Sequence, residues 1–149
     1  MWPDERIAGL IEKEFVPVRV HVRDQAEDFK RLGEKYSAQW TPTTLVLDPD
    51  GTERHRVEGF LPADDLLAQL GLGLGQLAFK RGDWAAADRH FRAVSDGQPD
   101  TDAAAEAVYW SGVSQYKATG NAASLGATAR KLDERYADST WAKKASVWR

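Results

Sequence analysis

The feature that most narrows what this chain can fold into lies at residues 43–58. Thr43-Thr44-Leu45-Val46-Leu47 is an unbroken β-forming run, and Asp48-Pro49-Asp50-Gly51 has Pro, Asp and Gly in the order that a tight turn wants. Residues 52–58 follow as a second strand, so the segment predicts an antiparallel hairpin, the strongest local signal in the chain. Its neighbours set the layout. Residues 4–14 place Ile7, Leu10 and Ile11 on one helical stripe, with Asp4 and Glu5 in the first turn where they suit the helix dipole. Val16, Val18, Val20 and Val22 alternate with Pro17, Arg19, His21 and Arg23 and predict a half-buried strand, Pro17 marking an edge or a strand start. Ala26, Phe29, Leu32 and Tyr36 return to helical spacing. After the hairpin, Leu61-Pro62-Ala63-Asp64-Asp65-Leu66-Leu67 opens a further helix with Pro and two acids in its first turn. The expected order is α, β, α, β, β, α.

The texture changes after Leu70. Residues 1–70 carry 9 Lys/Arg against 14 Asp/Glu, whereas residues 71–149 carry 11 against 9 and are rich in Ala. Two domains are expected, 1–70 and 71–149, the second all-α. Gly75, Gly82-Asp83-Trp84, Ala87, Phe91 and Pro99 follow the small-and-aromatic spacing of a helix-turn-helix repeat of roughly 34 residues. A looser copy runs through Tyr109-Trp110, Tyr116, Gly120, Leu125 and Leu132 to Tyr136, and Ser139 is placed to cap a last helix carrying Trp141, Ala145 and Trp148.

Composition removes several function classes. With 149 residues, 42% hydrophobic and 29% charged, the chain holds one full core or two small ones and is not disordered throughout. A net charge of −3 argues against a nucleic-acid binder. No apolar run approaches the roughly 18–20 residues needed to span a bilayer, and Met1-Trp2-Pro3-Asp4-Glu5 lacks the basic start and apolar stretch of a secretory signal. A soluble, cytoplasmic protein that binds neither nucleic acid nor membrane is expected. His21, His55 and His90 are far apart in no ligand-like spacing, so neither a metal site nor a cofactor is expected. Asp48 and Asp50 read as turn residues rather than a cation loop, and Asp64 and Asp65 as helix N-terminal acids rather than a catalytic pair. Gly71, Gly73 and Gly75 lack the Lys-Ser/Thr of a phosphate loop and read as a flexible junction or as close helix packing. Trp84, Trp110 and Trp141 fall where helices need core anchors.

Trp40-Thr41-Pro42 through Gly51, ending in Val57-Glu58-Gly59-Phe60, resembles the second half of a thioredoxin-like domain, and with residues 15–23 as the preceding strand the resemblance spans nearly all of residues 1–70. It implies an α/β domain with a small mixed sheet. It further implies a cis peptide bond at Thr41-Pro42 beside the family's active site, and a backbone at Trp40, Thr41, Pro42 and Thr43 that pairs with an extended peptide. The front end of that family, a first strand followed by Cys-x-x-Cys at a helix start, has no counterpart here. The chain contains no cysteine, so it carries no thiol redox chemistry of its own. The resemblance places the missing strand centrally, between residues 16–22 and 43–47. Open strand edges are costly, so residues 16–22 are expected either to pair directly with residues 43–47 or to enter a homodimer or strand swap.

In the second half the spacing resembles a tetratricopeptide repeat. That implies a concave groove for a protein or peptide partner, lined by Gln76, Phe79, Lys80, Trp110, Ser114 and Lys117. The expected function is therefore a non-catalytic interaction module. Two alternatives stay open: a fragment of a thiol–disulfide oxidoreductase whose cysteines lie upstream of Met1, and a structural subunit assembling through the edge at residues 16–22.

Overall fold

A computed structural model describes residues 3–149. Met1 and Trp2 lie outside the described residues. Helix α1 (Glu5–Glu14) starts at Asp4, whose carboxylate accepts from the Arg6 N–H at 2.9 Å. Ile7 and Ile11, one turn apart, are buried with Val46 and Leu70. Helix α2 (Ala26–Tyr36) carries Phe29, Leu32 and Tyr36 on one stripe, yet none of its residues is fully buried.

The hairpin forms as the sequence predicts. Strand β1 (Thr43–Leu47) runs antiparallel to β2 (Glu53–Glu58), with Thr43 opposite Glu58, Leu45 opposite Arg56 and Val46 opposite His55. The turn closes through Asp48 N–H to Thr52 C=O at 2.8 Å, and the Asp50 carboxylate accepts from Thr52 N–H at 2.9 Å, which holds Asp50 below its ordinary pKa. Asp48 is a structural acid, not a cation ligand: it is nearly buried, pairs with Arg54, and lies 3.5 Å from Arg81.

The strand expected over residues 16–22 is absent. Val16 is 93% and Val18 81% exposed, and no backbone hydrogen bond joins the segment to another strand. Period-two alternation makes a segment able to be a strand, but a strand exists only when a neighbour's N–H and C=O groups lie alongside. Among the described residues β1 pairs with β2 alone, so direct pairing of residues 16–22 with residues 43–47 is ruled out in this structure. The sheet has two strands.

Five further helices follow: α3 (Ala63–Lys80), α4 (Trp84–Gly97), α5 (Asp102–Thr119), α6 (Ala123–Arg135) and α7 (Thr140–Ala145). The change of texture at residues 70/71 falls inside α3, which is shared by both halves. Gly71, Gly73 and Gly75 are close-packing positions within it, not a hinge. A methyl at Gly73 would lie 2.7 Å from Val46 of β1, while one at Gly71 or Gly75 would run into Val94 or Phe91 of α4. α3 thus lies between the hairpin and α4, close to both because it lacks side chains there.

Beyond α3 the packing is dense. Phe91, Leu72, Val94, Ala87 and Ala107 form one core across α3, α4 and α5, and Leu132, Ala105, Val108, Ala129, Ala142 and Ala145 form a second across α5, α6 and α7. Gly82 (φ +76°) and Gly120 (φ +69°) take the left-handed conformation that turns α3 into α4 and α5 into α6. Asp88 of α4 accepts from the Ser111 hydroxyl and from the Gln115 amide (3.2 Å) of α5. Ser139 caps α7, accepting from Ala142 N–H at 3.0 Å. No described helix is long and apolar enough to cross a membrane.

Candidate functional site

The segment before β1 is held in place by its own backbone groups. The Thr41-Pro42 peptide bond is cis. The Pro42 carbonyl accepts from Gly59 N–H at 2.8 Å, which extends the hairpin ladder by one pair, and the Thr43 hydroxyl donates to the Trp40 carbonyl at 2.6 Å. These residues also turn apolar surface outward. Trp40 is 68% exposed, Thr41 and Pro42 are exposed, and Phe60, next to the Gly59 partner of Pro42, is 83% exposed. Two large aromatic side chains therefore flank the start of the hairpin in water, where each adds little to folding. Phe60 ends the segment that carries the resemblance but was not among the site residues expected from the sequence; its neighbour Gly59 pairs with Pro42, which was.

The six residues expected to line a groove separate into distinct environments. Phe79 and Trp110 come together, ring centroids 5.2 Å apart edge-to-face, and Phe79 meets Trp84 at 5.0 Å. Both pack against the first helical core. Lys80 and Lys117 are exposed, Lys117 with its ammonium 5.7 Å from the Trp84 ring, and Gln76 is half-buried. Ser114 faces inward, fully buried, its hydroxyl donating to the Trp110 carbonyl at 2.7 Å. It takes no part in any surface: a serine one turn after Trp110 satisfies itself on the i−4 carbonyl and packs like a small apolar residue.

The aromatic array continues through Tyr109, Trp141 and Trp148, which pack against the second core, with the Lys144 ammonium 4.0 Å from the Trp141 ring. Glu106 of α5 is half-buried near this array, and burial raises its pKa, an effect opposed by His55, Trp110 and Lys144. His55 bonds the Gln69 side-chain oxygen at 2.6 Å, a contact between β2 and α3. His90 is lowered, chiefly by burial. No three of the His, Asp and Glu side chains among the described residues converge as a metal site would require. An open cleft of about 570 Å³ beside Pro99, Asp102, Tyr136 and Trp141 joins the starts of α5 and α7.

Residues 1–73 match the family model of the thioredoxin-like domain. The first half of this chain is a thioredoxin-like domain. Its match ends within α3, the helix that the hairpin and the helical half share. No curated protein and no solved structure matches the chain. Within the domain, Pro42 lies at the mouth of the hairpin among exposed aromatic side chains, and the residues present hold no thiol to act beside it.

Proposed function

We propose that this chain is a non-catalytic protein-interaction module. The observation that carries the reading is the corner formed by Trp40, Thr41, Pro42, Thr43 and Phe60: a cysteine-free thioredoxin-like domain exposes two aromatic residues beside the start of a strand. An extended peptide lying there gains aromatic burial from both sides and strand pairing from β1. The helical half supplies a second surface. Its two helix pairs, of 18 and 14 then 18 and 13 residues, each joined at a left-handed glycine, support a tetratricopeptide-like reading, with Phe79, Lys80, Trp110 and Lys117 toward a partner.

A permanently unfolded polypeptide with alkylated cysteines serves as the probe, its binding followed by calorimetry. Trp40→Ala combined with Phe60→Ser is expected to weaken it about tenfold, roughly 1.4 kcal/mol, without moving the melting temperature. Equal binding by the double variant would overturn the assignment of the corner. The chain is also expected to leave insulin disulfides intact, and reduction above background would contradict a non-catalytic role.

A second reading, part of a thiol–disulfide oxidoreductase whose Cys-x-x-Cys precedes Met1, is favoured by one observation: β1 has an unoccupied edge and residues 16–22 have no strand partner. The genomic sequence before the Met1 codon decides it. An in-frame strand-like run ending in Cys-x-x-Cys supports the enzyme, and its absence supports the interaction module.

A further inference from the structure

A strip of aromatic rings crosses the helical half. Trp84, Phe79, Trp110 and Tyr109 follow one another with ring centroids 5.0, 5.2 and 5.4 Å apart, and Tyr109 then meets both Trp141 (5.2 Å) and Trp148 (4.7 Å). The rings come from α3, α4, α5, α7 and the short 3-10 turn at residues 146–148. All but Trp84 lie against the two helical cores, and every one of them keeps part of its surface in water. The cores leave a continuous aromatic surface uncovered.

The polar groups along this surface are donors. The Trp110 indole N–H is buried and has no hydrogen-bond partner among the described residues, although a buried tryptophan N–H ordinarily finds one. Glu106, one turn earlier on α5, stands beside it, and no ion pair among the described residues holds that side chain. By turning aside it uncovers the N–H. Lys117 places its ammonium 5.7 Å from the Trp84 ring at one end of the strip, and Lys144 places its own 4.0 Å from the Trp141 ring at the other; neither pairs with an acid among the described residues.

An aromatic surface whose polar groups donate suits a ligand that is apolar, accepts hydrogen bonds and brings no donors of its own. A polyproline II helix has that chemistry. Its rings present an apolar face every third residue, about 9 Å along the axis, its carbonyls point outward unpaired, and proline has no N–H. An ordinary extended chain fits less well, since its N–H groups would be left against rings and other donors. The lysines at both ends add a preference for acids beside the prolines.

We propose that this aromatic strip binds a proline-rich polypeptide segment with acidic flanks. Prolines stack on Phe79, Trp110 and Trp141, a carbonyl accepts from the Trp110 indole N–H, and Lys117 and Lys144 hold the ends. The proposal names the partner class of the helical surface and rests on the reading of that half as an interaction surface.

The probe is a synthetic peptide of about nine prolines, three turns of the helix, with glutamates at each end, and its control carries serine in place of every proline. Calorimetry and tryptophan fluorescence of the full chain are expected to show one proline peptide per chain, bound at least about tenfold tighter than the serine peptide. Trp110→Phe, which keeps a ring on the core and removes the N–H, is expected to weaken binding about tenfold at an unchanged melting temperature. Lys117→Glu with Lys144→Glu, at two exposed residues, is expected to weaken it by a similar factor and to abolish its weakening by salt. Equal binding of the two peptides overturns the proposal, and so does a proline peptide whose affinity neither variant changes. Binding of a linear glucan in place of the proline peptide overturns it as well. The unfolded polypeptide with alkylated cysteines separates the two levels. If its binding falls in the double lysine variant while the proline peptide does not bind, the proline class is overturned and the surface stands; if neither probe senses these lysines, both are overturned.

Discussion

The two halves of the molecule meet in α3 but solve the burial problem differently. The helical half closes two cores, with Phe91 and Leu132 wholly inaccessible and glycines where helices touch. The thioredoxin-like half has one small core around Ile7, Ile11, Val46 and Leu70, a two-stranded sheet, and large apolar side chains in water at Val16, Val18, Trp40 and Phe60. A helix satisfies its backbone within itself, so α4 and α5 need only a packed face. A strand must borrow its hydrogen bonds from a neighbour, and a sheet of two strands buries little of what surrounds it.

The contrast can be broken by substitutions of similar size placed on either side of it. Phe91→Ala, in the first helical core, is expected to lower stability by about 3–5 kcal/mol in urea denaturation. Gly75→Ala, which drives a methyl into Phe91, is expected to lose about 1–3 kcal/mol despite alanine's better helix propensity. If Gly75→Ala stabilises the chain, α3 and α4 are not packed as closely as described.

Two half-buried groups sharpen the comparison through pH. Burial raises the pKa of Glu106 above the ordinary 4.5, so its protonated form is favoured by folding. The stability it contributes is complete below that value and is lost as pH rises through the raised one. Glu106→Gln is expected to flatten stability in that window. His90 is lowered below 6.5, chiefly by burial, so its contribution is complete above 6.5 and lost as pH falls. His90→Gln is expected to remove that acid-side slope in thermal melts at successive pH values. The smallest effect belongs to the open half: Val18→Lys is expected within about 0.5 kcal/mol of the parent, because the side chain already lies in water.

What was legible in the sequence were features decided locally. The β1–β2 hairpin follows from its turn residues, α1 from the acids Asp4 and Glu5 at its start and the Ile7–Ile11 stripe, and α7 from Ser139. What was not legible depended on neighbours. The valine alternation at residues 16–22 describes a face without saying what lies beside it. Ser114 is spaced to join Trp110 on one side of α5, but the rotation of that helix against α4 puts its hydroxyl inside. Composition changes at Leu70, yet the backbone runs through it as one helix, because Gly71, Gly73 and Gly75 fit it between the hairpin and α4. Of the candidate site, Trp40 through Thr43 were legible from a motif, while Phe60 joined them only through the Gly59–Pro42 bond.

Native-state hydrogen exchange of the free chain at a concentration where it is monomeric tests the two-stranded sheet most directly. The expected result is near-unprotected exchange at Thr43, Leu45 and residues 16–22, while amides of α4 and α5 around Phe91, Val94 and Ala104 exchange only on global unfolding. Slow exchange across residues 16–22 in the monomer would contradict it, since those amides would then have the strand partner that this structure does not provide.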